Sequence, residues 1–342
     1  NHIRHHDRQH RPPTPGARPR RRHLVRGLAA ATALTALGAR AQATPFPSRP
    51  VTLVVPFPAG GATDSLVRQI AELAGRELGQ PVVVENKPGA AGVLGANHVV
   101  RAAPDGYTLS VLPEPVFRLP HLQKTAFDPM NDFSYVIHLS GYALGIAVRN
   151  DAPWRDWAGV VAEAKKRPGQ ISYGTTGING TMHVTVEEMA QRAGVRLNHV
   201  PYKGESEIIA ALMGGHIDLG VTAGGIAPMV DDGRARVLVL WTARRAPRWP
   251  GVPTLREIGI DMVANSPFGI AGPKGLPPAV VKTLHDAFRK ALEAPATRAT
   301  LERLNQESAY LDSEAYAAFA RERYETSRQQ VQRLGLKPNA QQ

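Results

Sequence analysis

From Val51 the chain alternates short apolar runs with stretches whose apolar residues recur at helical spacing. Val51–Pro56 reads as a strand, Ala62–Leu78 as an amphipathic helix, Pro81–Glu85 as a strand, Ala90–Ala102 as a helix and Tyr107–Leu112 as a third strand. This strand–helix alternation predicts a parallel sheet with helices on its faces. Pro113–Asp132, rich in Pro and aromatic residues, reads as loops.

After strands near Tyr135–Leu139 and Leu144–Val148, a second alternating series begins. Trp154–Lys166, Met182–Ala193 and Glu205–Met213 read as helices, and Ile171–Tyr173, Leu197–Val200, Ile217–Val221 and Arg236–Trp241 as strands. Two separate series predict two α/β lobes. From Pro277 onward only helical patterns are read, ending in Ser313–Arg333, where Tyr316, Phe319, Ala320, Tyr324 and Val331 recur at roughly helical spacing. This tail is expected to return and pack on the first lobe.

A length of 342 residues fits two domains of ordinary size. The formal charge of +12 suggests nucleic acid until it is located: nine Arg against one Asp lie within residues 1–43, and the remaining 32 basic and 28 acidic side chains balance to +4. That removes the main support for a nucleic-acid partner. The chain contains no cysteine, which excludes disulfides, thiolate nucleophiles and Cys-based metal centres.

The leader carries Arg20, Arg21, Arg22 and Arg26 before an apolar run from Leu28 to Gly38. Ala41-Gln42-Ala43 supplies the small-x-small pattern of a signal-peptidase site, with cleavage expected after Ala43. Such a run falls short of the roughly 20 residues a membrane span needs. Arg21-Arg22-His23-Leu24-Val25-Arg26 resembles a twin-arginine signal, with Leu24 and Val25 where Phe and Leu are usual, so a cleavable signal and a periplasmic location are expected. The tract with His2, His5, His6 and His10 reads as a leader extension.

Two turns carry the candidate chemistry. Phe57-Pro58-Ala59-Gly60-Gly61-Ala62-Thr63-Asp64 leads from a strand into a helix, and its glycines let an anion approach the free N–H groups of the first helical turn. The competing reading is a tight connection with Thr63 or Asp64 as N-cap. Tyr173–His183 repeats the arrangement, with Thr175, Thr176 and Thr181 adding hydroxyl donors and His183 a ring N–H. Gly89, Gly92 and Gly95 follow a GxxGxxG spacing, not the dinucleotide fingerprint, and are expected to allow close helix–sheet packing. No nucleophile elbow or zinc motif occurs, and the histidines at 98, 121, 138, 183, 199, 216 and 285 lack ligand-like spacing. Neither catalytic residues, nor a metal, nor a cofactor is expected. The four tryptophans (154, 157, 241 and 249) are expected in the core or on lobe surfaces.

Several strings in one order carry a family likeness: Arg49-Pro50-Val51-Thr52, Pro56–Gly61, Val82–Gly89, Pro104–Leu109, Tyr173–His183, His199–Gly204, Gly214–Asp218 and Val252-Pro253-Thr254. Through residues 46–335 the chain resembles the Bug family, the extracytoplasmic receptors of tripartite tricarboxylate transporters. The resemblance implies a two-lobed type II periplasmic binding protein fold with a ligand cleft between the lobes and two chain crossings, near residues 145–150 and 262–268. With the leader over 1–43 set aside, it implies a first lobe of 44–147 plus 266–342 and a second lobe of 148–265. It also implies a small carboxylate held by Phe57, Ala59, Gly60, Gly61, Thr63 and Asp64 of one lobe and by Thr175, Thr176, Gly177, Thr181 and His183 of the other. Partners would be the permease subunits of such a transporter or a sensor, and a monomer is expected.

The chain departs from the family pattern in three places. Gly180 stands where Ser is common, Val221-Thr222-Ala223-Gly224-Gly225 replaces a bulky aromatic and an acid, and Phe268 occupies a region that often has Trp. Thr222 and Phe268 are therefore candidate ligand contacts. The missing acid favours a carboxylate without an amino group. The alternatives are an α/β enzyme using Asp64 and His183 as acid and base, and a ligand-sensing regulator, for which the leader shows no helix-turn-helix.

Overall fold

The computed structural model describes residues 45–306 and 308–337, so the leader expectations for residues 1–43 lie outside the described residues. Strand β1 (Val51–Val55) buries Val51, Leu53, Val54 and Val55 together, as a strand covered on both faces must. It pairs in parallel with β2 (Val82–Asn86) and β3 (Thr108–Pro113). Helix α1 (Ala62–Leu78) connects β1 to β2, burying Leu66, Val67, Ile70 and Ala74, and stops at Gly79, whose φ of 66° suits glycine.

The other strands are β4 (Phe133–Tyr142), β5 (Gly145–Arg149), β6 (Ser172–Thr175), β7 (Asn198–Pro201), β8 (Leu219–Thr222), β9 (Ala235–Leu240), β10 (Ser266–Pro273) and β11 (Ser308–Leu311). They form a six-stranded sheet, β11-β4-β10-β3-β1-β2, and a five-stranded sheet, β7-β6-β8-β5-β9. Both sheets follow one plan. Three parallel strands are followed by one that runs antiparallel to both its neighbours, β10 in the first sheet and β5 in the second. Each sheet is therefore mixed, not parallel as the alternation alone predicted. The cause is topological: β5 and β10 are the strands by which the chain enters the opposite lobe.

The first crossing is Ala143–Leu144, because Tyr142 ends β4 and Gly145 already pairs with Thr222 and Leu240 in the second sheet. The second lies at Asn265, between Ala264, whose N–H donates to Trp241 O, and Ser266, which pairs with Tyr142. The crossings run side by side, and this two-lobed α/β architecture places both lobes on one hinge.

The remaining helices are α2 (Leu94–Val99), α3 (Pro115–Arg118), α4 (Trp157–Lys166), α5 (Thr181–Ala193), α6 (Glu205–Met213), α7 (Ala227–Asp231), α8 (Pro278–Glu293), α9 (Pro295–Arg303) and α10 (Ser313–Leu334). Helices α8 and α9 cover α1, and α10 lies along β4 and α3. The C-terminal helix does return to the first lobe, where Tyr316 is fully buried against Gly269 of β10; a Cβ on that glycine would stand 2.6 Å from the Tyr316 ring. It also reaches the second lobe: Arg333 lies 3.5 Å from Glu188 of α5, and Lys337 O accepts from Asn179 Nδ2. All four tryptophans are buried.

Three local readings change. Strand β11 breaks the all-helical reading after Pro277, and α3 with a 3₁₀ turn at Leu119–His121 breaks the loop reading of Pro113–Asp132. Ala90–Ala102 is not one helix: Ala90 and Ala91 take left-handed φ of 49° and 54° in a 3₁₀ turn before α2 starts. Gly95 and Gly92 allow the close packing expected, since a Cβ would lie 2.4 Å from Ser110 Oγ or 2.9 Å from the Phe57 ring, respectively.

A left-handed L-residue costs roughly 1–2 kcal/mol. Ala90→Gly is therefore expected to raise the melting temperature, reversing the usual penalty of about 0.5–1 kcal/mol for glycine inside a helix. Thermal denaturation followed by circular dichroism checks it; a lower melting temperature would show that the left-handed turn is not strained.

Candidate functional site

Helix α1 begins on Gly61 and helix α5 on Gly180, both extended, and neither glycine has a side chain with which to cap the helix. Their first-turn N–H groups have no acceptor within the helix and need one from elsewhere. Thr63 and Asp64, weighed as caps from the sequence, do not serve: each lies inside the first turn. Ala62 and Thr63 of α1 and Thr181 and Met182 of α5 line one cavity between the lobes, of about 40 Å³. That volume exceeds the roughly 10–15 Å³ needed for a single water and suits a small ligand in a closed clamp.

The Asp64 carboxylate has a different task. It accepts from Gly60 N–H at 3.0 Å, from Arg68 Nε at 2.9 Å and from Asn86 Nδ2 at 2.8 Å, and Asn86 Nδ2 also donates to Phe57 O. Burial alone would raise its pKa, but the hydrogen bonds from Arg68, Asn86 and Gly60, helped by the Arg68 charge, hold it below the usual carboxylate range. Asp64 thus fixes the β1–α1 turn around Gly60, whose φ is 86°. The β6–α5 turn is held similarly: Asn179, at φ 60°, donates its N–H to His183 Nδ1 at 3.1 Å, and Arg118 of the first lobe donates to Asn179 O at 3.3 Å.

The cavity wall is completed by residues from strand ends and from a third helix: Tyr142, Ser266 and Glu205. Thr63 Oγ1 donates to Tyr142 Oη at 2.7 Å, which leaves the phenol proton for another acceptor. Burial first, and the Glu205 charge with it, raise the Tyr142 pKa despite that bond, so the phenol stays protonated. Ser266 Oγ donates to Thr181 Oγ1 at 3.4 Å, which likewise leaves the Thr181 proton to turn inward. No Lys, Arg or His lines this cavity.

Of the thirteen residues singled out from the sequence, Phe57, Gly61, Thr63, Thr176 and Thr181 line the cavity. Ala59 and Gly60 are exposed outside it, and a Cβ on Gly60 would meet nothing within 4 Å. Thr175 is buried and bonded to His199 Nε2 at 2.6 Å, and Gly177 lies against Ala91 at the rim. Thr222 is buried in β8, and Phe268 stacks on Tyr142 with centroids 4.7 Å apart, supporting the wall from behind. His183 stacks on His199 at 4.1 Å and faces a different depression. Tyr142, Glu205 and Ser266 were not foreseen; no local motif marks them, because the chain crossings and the α6 N-terminus bring them in.

Comparison with known proteins agrees with the two-lobed fold. A family model described as the tripartite tricarboxylate transporter family receptor matches residues 66–336. The chain is 46% identical over 321 residues to a UPF0065 protein of the gbd 5′ region in Cupriavidus necator, covering 92% of this chain and 98% of that one. It is similar to the periplasmic binding protein BugD, with a TM-score of 0.82 at 29% identity over 86% of this chain and 100% of that chain. It is also similar to the malate-bound MatC of Rhodopseudomonas palustris, with a TM-score of 0.78 at 28% identity over 84% of this chain and 100% of that chain.

The stacked histidines are expected to make the second lobe sensitive to pH. Burial, followed by the neighbouring His183, pushes His199 down from 6.5 to about 3; His183 is lowered by burial and by Arg118 against the opposing pull of Glu187. A folded-state pKa below the unfolded value means that the unfolded chain binds more protons between the two, so stability is full above about 6.5 and declines as pH falls toward 3. The melting temperature is expected to drop between pH 7 and pH 5, and His199→Asn to flatten that slope. Parallel curves for the two proteins would assign the acid sensitivity elsewhere.

Proposed function

The chain belongs to the tripartite tricarboxylate transporter receptor family, and from that membership we propose that it is an extracytoplasmic receptor that captures a small carboxylate by closing its two lobes. The observation that carries this reading is the convergence of two helix N-termini, one from each lobe and each begun by a glycine that cannot cap it, on one cavity with inward-turning hydroxyls. Carboxylate oxygens are suitable acceptors for such N–H groups, and the helix dipole adds to the attraction. The ligand would be held by the N-termini of α1 and α5 and by Thr63, Thr176, Thr181 and Tyr142, with Phe57 packing on its apolar part. Asp64, Gly60, Thr175 and His183 would shape the turns from behind.

The lobes would close by hinge rotation at the paired crossings, and ligand would shift the population toward the closed form. Closure brings Gly204 of the second lobe against Pro58 of the first and Gly177 against Ala91. A receptor is favoured over an enzyme because the acid–base pair weighed from the sequence does not assemble: Asp64 is engaged by Arg68 and Asn86, and His183 by Asn179 and His199. The role extends to export by a cleavable, twin-arginine-like signal, residence in the periplasm as a monomer, and delivery of the ligand to permease subunits or a sensor.

Calorimetric titration of the chain from Thr44 with mono-, di- and tricarboxylates tests the reading, and recovery of unchanged acid separates binding from turnover. Saturable binding without consumption is the expected result; consumption would make the protein an enzyme. Closure has its own test. A Cβ on Gly204 would stand 2.4 Å from Pro58 Cδ, while the extended backbone there, at φ −170°, accepts any residue. Gly204→Ala is therefore expected to lower ligand affinity by about tenfold or more through the closed state alone, with the melting temperature of the free protein little changed. Unaltered affinity would show that ligand is held without full closure.

A further inference from the structure

Glu205 opens helix α6, and its carboxylate bridges the lobes: two of its backbone donors lie in its own lobe and one in the other. Oε1 accepts from Ala223 N–H at 2.6 Å, Oε2 from Ala62 N–H of α1 at 3.4 Å, and Gly225 N–H also donates to the group. The seat is fitted to the acid: a Cβ on Gly225 would stand 2.7 Å from Oε2, so only glycine leaves it room. The residue is 8% exposed and forms part of the cavity wall, where it is the one carboxylate and no cation faces it. One N–H at the start of α1, that of Ala62, thus already meets a carboxylate belonging to the protein. The other first-turn N–H groups of α1, the N-terminus of α5 and the Thr181 hydroxyl remain for the carboxylate of a ligand.

We infer that Glu205 is the specificity-determining residue of this cleft: it selects a ligand with a single carboxylate whose other end presents an ammonium or amide N–H, and rejects a dianion. This rests on the receptor reading above and deepens it. A second ligand carboxylate would be placed beside Glu205 in a site shielded from water, where like charges repel strongly. A donor at the same place would satisfy the acceptor capacity that three backbone N–H groups leave on the carboxylate. Burial raises the Glu205 pKa against the pull of those N–H groups, so a cationic or donor partner would relieve an existing cost. This inference departs from the sequence expectation of an amino-free carboxylate, since α6 brings an acid into the cavity wall.

The test is a matched series titrated by calorimetry into the wild type and Glu205→Gln: linear dicarboxylates of three to six carbons, their monoamides, and ω-amino acids of equal length. The wild type is expected to bind the amino acids or monoamides at least about tenfold more tightly than the diacid of the same length. Glu205→Gln should narrow or invert that ratio, with the diacid gaining affinity. A wild type that prefers diacids, with the ratio unmoved by the substitution, overturns the inference and leaves the receptor reading intact. Equal tightening of every acid in Glu205→Gln also overturns it, since Glu205 would then be an occupant displaced by the ligand. Absence of binding throughout, in both proteins, overturns the inference and the receptor reading together. Should Glu205→Gln fail to fold, the wild-type ranking decides alone.

Discussion

Helix N-termini buried without caps are the constraint around which this molecule is arranged. Each leaves backbone donors that water cannot reach freely and that the helix itself cannot satisfy. Gly61 and Gly180 bring two such ends, from opposite lobes, to one cavity, and every other feature of the site answers their demand for acceptors. Glu205 meets part of it from within the chain. The rest of that demand is what would draw an anion into a wall that, among the described residues, holds no lysine or arginine.

Sheet topology decides which side chains join those helix ends. Because β5 and β10 enter their sheets antiparallel beside the crossings, the last residue of β4 and the first of β10 face each other at the hinge. Tyr142 and Ser266 therefore reach the cavity from the paired chain crossings. Thr63 binds Tyr142 within the first lobe, whereas Ser266 donates to Thr181 of the second, so that part of the wall's hydrogen-bond pattern depends on the lobes being together.

The parts of this arrangement legible in the sequence were those with local causes. Glycine-rich turns between a strand and a helix announce themselves, and five of the residues they suggested line the cavity. That Asp64 and His183 stand behind the turns and not in the cavity wall was not legible, because their partners Asn86 and His199 are brought to them only by the folded chain. Strand β10 went unread because Pro267, Gly269, Gly272 and Pro273 look like breakers; in the fold Gly269 makes room for Tyr316, which lies 47 positions further along the chain. Glu205 carries no motif at all. Its meaning arises only when α6 and α1 meet across the cleft.

The strand order also has a consequence for biogenesis. The second lobe is contiguous, running from Gly145 to Ala264, and can assemble from one uninterrupted stretch of nascent chain. The first cannot: its central strand β10 arrives 124 positions after β4 ends, and until then β3 and β4 are two unjoined edges. Exposed, unpaired edges invite pairing with other chains. The lobe that opens the sequence is thus the last to be completed, and the interval in which the protein is most prone to aggregate is set by the length of the second lobe.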